Sequence, residues 1–125
     1  MGKISVVVVN FNGKRFLDDC LSSLSVQTYK DYEVIVVDNA SRDGSVEHIR
    51  SRFPWARIVE NKVNLGSTGG NNSGIREAEG EFIVTLNNDT SVEKDFLERL
   101  AGPMSDPGIG MCGSKMLYPN GKINS

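Results

Sequence analysis

The apolar positions of this chain fall into short continuous runs separated by stripes at helical spacing. Residues 4–9, Ile4-Ser5-Val6-Val7-Val8-Val9, form a β-branched run without clean alternation, the pattern of a central parallel strand covered on both faces. Asn10-Phe11-Asn12-Gly13 ends that run and opens a helix, in which Leu17, Cys20, Leu21 and Leu24 recur on one face. After a turn at residues 27–31, residues 33–37 repeat the buried-strand pattern and stop at Asp38-Asn39-Ala40-Ser41. A second helix is expected from Ser45, its cap, to the stop at Pro54, with the chain's single histidine, His48, solvated on its surface. Residues 57–60 read as a short third strand, and residues 64–75 as a glycine-rich loop running into a helix that ends near Glu79-Gly80. A fourth strand over residues 82–86 ends in Asn87-Asn88-Asp89-Thr90. A helix over about residues 92–101 turns Phe96, Leu97 and Leu100 inward. Pro103 and Pro107 mark a loop, a further strand lies within residues 109–118, and Pro119-Asn120-Gly121-Lys122 reads as a hairpin turn.

This order of elements predicts an α/β fold: a three-layer α/β/α sandwich with a mostly parallel central sheet and right-handed crossovers. A length of 125 residues suits a single domain over residues 1–125. A net charge of −2 gives no reason to expect nucleic acid or an anionic membrane as partner. No segment has the length and apolar character of a membrane span or of a signal peptide. Cys20 and Cys112 lie far apart in apolar patterns with no ligand-spaced partner, which fits reduced, buried, inert thiols and a cytoplasmic protein.

Three strands end in clusters rich in Asn and Asp: residues 10–12, 38–41 and 87–90. Parallel strands bring all three to one sheet edge, where open α/β sheets bind ligands. Each cluster alone also has a plain turn or capping reading. Asp89 suits a hard divalent ion whose coordination is completed by phosphate oxygens, or it caps the helix that follows. Asp38 is placed to accept hydrogen bonds from a ribose hydroxyl or a base N–H, or to make an Asx turn. Phe11 could lie against a planar base or pack on the next helix. The glycines of residues 64–74 suggest a loop whose N–H groups cradle phosphate, although neither common nucleotide fingerprint is present.

Taken together these motifs resemble the amino-terminal half of family-two glycosyltransferases of the GT-A fold, particularly rhamnosyltransferase-like members. The likeness is carried by residues 5–13, by Gln27-Thr28-Tyr29 ahead of residues 33–45, by Asn64-Leu65-Gly66 with residues 69–75, and by Leu86-Asn87-Asn88-Asp89-Thr90. The resemblance implies inverting, metal-dependent transfer from a UDP-, dTDP- or GDP-linked sugar to a glycan or lipid-linked acceptor, as in polysaccharide biosynthesis. It implies donor contacts from Val9, Asn10, Phe11, Asn12, Asp38, Asn39, Asn72, Asn87 and Asn88, with Mg2+ or Mn2+ on Asp89. Asn39 and Asn87 stand where many relatives carry carboxylates, which leaves the base less defined and makes the cation more dependent on the diphosphate. The resemblance places the general base beyond Ser125, so these residues read as a truncated donor-binding half. That half is cytoplasmic or peripheral at the inner membrane face, and its exposed sheet edge is open to self-association. A non-catalytic nucleotide-binding or assembly module of the same fold is the alternative. A flavodoxin-like regulatory domain would need an acidic pocket after the first strand, which residues 10–13 do not supply.

Overall fold

The computed structural model describes residues 2–101, 111–112 and 115–119. Its elements are β1 (Ile4–Asn10), α1 (Lys14–Ser25), β2 (Tyr32–Asn39), α2 (Ser45–Arg52), β3 (Arg57–Asn61), α3 (Gly66–Glu77), β4 (Phe82–Asn87), α4 (Phe96–Ala101), β5 (Met111–Cys112) and β6 (Lys115–Pro119). They build one six-stranded sheet in the order β3-β2-β1-β4-β6-β5. The strands β1 to β4 are mutually parallel, β6 runs antiparallel to β4, and β5 antiparallel to β6. The mostly parallel α/β architecture is therefore present. The expected loop around Pro103 and Pro107, the hairpin turn at residues 119–122 and the side chain of Cys112 lie outside the described residues.

The unbroken β-branched runs are explained by burial on both faces. Ile4, Val6 and Val8 join Val34, Val36, Val84 and Leu86 in one cluster with the apolar stripe of α1, Ile49 of α2, and Leu97 and Leu100 of α4. Val7, Ile35, Val37 and Ile83 form the opposite cluster, against Ile75 of α3. Alternate residues of each strand thus serve opposite layers.

The structure departs from local sequence preference where tertiary partners override it. Residues 66–74 are helix, not a phosphate-cradling loop. A Cβ on Gly74 would lie 2.5 Å from Val7 Cγ1 and 2.9 Å from Val37 Cγ2, and one on Gly70 would lie 2.7 Å from Val9 Cγ1. These glycines let α3 lie close on the sheet, which offsets their helix-propensity cost of about 1 kcal/mol each. Ser45 is not the cap of α2: Gly44 holds that position at φ 82°, and Asp43 Oδ1 accepts from the Ser45 N–H. Helix α4 begins at Phe96 because the preceding chain is committed elsewhere. Val92 N donates to Ser23 Oγ at 3.1 Å, and buried Gln27 donates to Glu93 O at 2.8 Å while accepting from Leu97 N at 3.0 Å. His48 is not merely solvated, since its Nε2 lies 2.7 Å from Asp18 Oδ1 and ties α2 to α1.

Glu33 closes the opposite edge of the sheet. Its Oε2 accepts from Ser5 Oγ at 2.6 Å and from Glu79 N at 2.7 Å, and Arg57 Nη1 stands 3.3 Å from its Oε1. Burial pushes the Glu33 carboxyl up, but these donors outweigh it and hold the group below its ordinary range. A carboxylate depressed in the folded state stabilises the fold above its unfolded pKa, and that stability is lost as pH falls through the folded value. Glu33→Gln should therefore lower stability at pH 7 and flatten the acid limb below about pH 4.3. Urea unfolding of parent and variant across that range checks this; parallel acid limbs would contradict it.

Candidate functional site

The ends of β1, β2 and β4 meet at one sheet edge, with Asn10 in register with Asp38 and Val9 with both Val37 and Asn87. The pleat sorts their polar residues into two groups on opposite faces.

The first group lies on the face covered by α1 and α2. Buried Asn10 donates through Nδ2 to Asp38 Oδ1 at 3.0 Å and accepts through Oδ1 from Asn88 Nδ2 at 2.9 Å. Asp38 is 2% exposed, and its Oδ2 accepts from Ser41 N, three residues on, at 2.9 Å. Each carboxylate oxygen of Asp38 thus accepts one hydrogen bond from the protein, and these bonds brace the edge. Gly13 leaves the room this needs, since a Cβ there would stand 2.1 Å from Asn88 Nδ2. The turn at residues 38–41 places Ala40 at φ 65°. That left-handed backbone costs an L-residue about 1–2 kcal/mol and is held by the bonds around it. Cys20 sits beneath, and burial, with the Asp89 charge adding to it, pushes its thiol up to about 12, so it stays protonated and inert.

The second group opens onto a cavity of about 360 Å³. Val9 and Phe11 line it from β1 and just beyond, Asn39 from β2, Gly66, Ser67 and Asn71 from the first turns of α3, and residues 85–89 from β4 and its end. Phe11 is 48% exposed and belongs to neither apolar cluster, so it borders the cavity instead of packing on α1. Asn39 is 1% exposed and donates through Nδ2 to Gly66 O at 3.1 Å. Asp89 is exposed and does not cap a helix, because residues 87–90 form a turn closed by Thr90 N donating to Asn87 O at 3.1 Å.

Of the residues expected to bind a donor, Val9, Phe11, Asn39, Asn87, Asn88 and Asp89 line this cavity, while Asn10 and Asp38 stand behind its wall. Asn12 instead borders a separate cavity of about 540 Å³ with Lys14, Arg15, Asp18, Asp43 and His48. Asn72 does not line the site and Asn71 does. In a helix Asn71 lies one turn after Ser67 on the same face, whereas its neighbour Asn72 is rotated away. Ser67, Asn71 and Thr85 were missed; reading residues 66–77 as a helix would have exposed the i, i+4 pair.

The donor set fits a hard divalent cation of a particular kind. Asp89 offers a carboxylate that makes no hydrogen bond or ion pair among the described residues. Among those residues no group of three or more His, Cys, Asp or Glu is arranged so that it could hold a metal ion. A cation held by Asp89 would therefore draw its remaining oxygens from a diphosphate and water.

The pattern of Glycosyl transferase family 2 matches residues 5–124. The chain belongs to that family. Its fold is the GT-A type, and it corresponds to the amino-terminal half of family-two glycosyltransferases. It is 32% identical over 125 residues to glycosyltransferase AglE of Haloferax volcanii, covering 94% of this chain and 41% of that protein. Mannosyltransferase PcManGT from Pyrobaculum calidifontis, solved in complex with GDP-Man and Mn2+, superposes with a TM-score of 0.81 at 28% identity. That match covers 87% of this chain and 34% of the other. S. aureus TarS 1-349 in complex with UDP gives a TM-score of 0.76 at 25% identity, over 84% of this chain and 32% of the other. The family-two chain described here thus spans less than half the length of these relatives. Among the described residues, no helix is long and apolar enough to cross a membrane.

Proposed function

We propose that this chain binds the nucleoside diphosphate of a sugar donor, with a divalent cation on Asp89, within an inverting glycosyltransferase acting on a saccharide or lipid-linked hydroxyl. The observation that carries this reading is the exposed Asp89 carboxylate, with no hydrogen bond or ion pair among the described residues, in the wall of a cavity built at the carboxyl ends of parallel strands. The neighbours that bind GDP-Man with Mn2+ and UDP support it.

Within this reading the exposed ring of Phe11 flanks the base, and Asn39 with the first turns of α3 forms the wall facing base and ribose. Val9 contributes apolar surface to the floor. Asn87 and Asn88 bring neutral amides towards the diphosphate, leaving Asp89 as the anionic ligand among the described residues. A bound Mg2+ or Mn2+ would stabilise the negative charge that grows on the leaving diphosphate as the sugar–oxygen bond breaks. Asp38 and Asn10 contribute by rigidity, holding Asn88 and the turn at residues 38–41 in place. We place the acceptor site and the general base outside the described residues.

Paramagnetic broadening tests the reading directly. Mn2+ should broaden the amide NMR signals of residues 86–90 when UDP or GDP is present, and much less without nucleotide. Equal broadening with and without nucleotide, or broadening centred elsewhere, would overturn it.

A further inference from the structure

A chain of amides runs from the edge strand to the cavity, and the donor reading does not use its outer member. Asn61, the last residue of β3, is in register with Asn39 of β2. Its Nδ2 donates to Asn39 Oδ1 at 2.8 Å. Asn39 Nδ2 in turn donates to Gly66 O at 3.1 Å. On the other side, Ser73 Oγ stands 3.2 Å from Asn61 Oδ1 and 3.1 Å from Gly69 O, so its single proton serves one acceptor or the other.

A primary amide has one accepting and one donating end, and a buried amide turns to whichever orientation its neighbours satisfy. Asn39 is almost fully buried, so its orientation is set by those neighbours. The Asn61 N–H claims Asn39 Oδ1, which leaves the Asn39 N–H for the Gly66 carbonyl. Reversing Asn39 would set its oxygen against that carbonyl and leave two acceptors facing each other. Gly66, at φ 74°, is the residue from which α3 starts, and its own N–H donates to Asn64 Oδ1 at 2.9 Å. The Asn39 bond to its carbonyl therefore joins the first turn of α3, with the cavity residues Ser67 and Asn71, to the end of β2.

From this geometry we infer that Asn61 is a positioning residue for the nucleotide cavity: it fixes the amide orientation of Asn39 and through it the first turn of α3. It acts from outside the cavity, since it does not line it. The inference rests on the donor reading, and the two can fail separately.

The test is a double-mutant cycle on UDP, GDP and dTDP binding in the presence of Mn2+, with Asn61→Ala, Asn39→Ala and the pair, each checked by thermal unfolding. Asn61→Ala should weaken binding of whichever nucleotide the parent takes by about tenfold, and should weaken it no further in the Asn39→Ala background. A general structural role would give a loss that adds to that of Asn39→Ala. If Asn61→Ala does not fold, Asn61→Val, which suits an edge strand, takes its place in the cycle. A parent that binds while Asn61→Ala binds equally, or an additive double variant, overturns the inference and leaves the donor reading standing. A parent that binds none of UDP, GDP and dTDP overturns both.

Discussion

Replacing Asp89 with alanine should abolish the metal-dependent part of nucleotide binding and leave the fold essentially unchanged. Losing an outer partner of a metal ligand typically costs 10–100-fold in affinity, and loss of the proposed ligand itself, the one carboxylate lining the cavity among the described residues, should cost about 100-fold or more. The variant should bind UDP or GDP as weakly with Mn2+ as the parent does without it. Stability should stay within about 0.5 kcal/mol, because Asp89 is exposed and makes no hydrogen bond or ion pair among the described residues. Parallel titrations and urea unfolding read both effects. Equal affinity in parent and variant with metal present would remove Asp89 from the site.

The second large effect is on the fold and reaches the site through α3. Gly74→Val places a branched side chain where even a Cβ lies 2.5 Å from Val7 Cγ1. Overpacking of a well-filled core costs about 1–3 kcal/mol and occasionally more. Here the contact is between a helix backbone and a sheet buried on both faces, so a loss of about 3 kcal/mol is expected. That is a large share of the roughly 5–15 kcal/mol that holds a domain together. Helix α3 must rise from β1 and β2, carrying Ser67 and Asn71 with it, so nucleotide affinity should fall as well. Urea unfolding of Gly74→Val with a parent-like midpoint would show that the helix does not depend on this close approach.

The same contrast explains what the sequence revealed. The strands were legible because burial on both faces imposes unbroken runs such as residues 4–9 and 33–37, which few other environments tolerate. Their shared polar edge followed from parallel topology, and Asp89 followed from the end of β4. Helix α3 was obscured because Gly70 and Gly74 serve a contact with Val7, Val9 and Val37 that no local window contains. Which of Asn71 and Asn72 lines the cavity depends on the same helix, since only a helical phase separates the two. Asp38 illustrates a different limit. Its residue type suits a ribose as well as a turn, and only the donors from Asn10 and Ser41 show that it also braces the sheet edge. The pairing of His48 with Asp18 joins residues on different helices and had no local signal.

The central claim is that the cavity between β4 and α3 is a nucleoside diphosphate site completed by a cation on Asp89. The most direct test is calorimetric titration of the 125-residue chain with UDP, dTDP and GDP, each with and without Mn2+. Binding of one nucleotide that depends on the metal is the predicted result. Binding unaffected by metal, or no binding to any of the three, would contradict the claim.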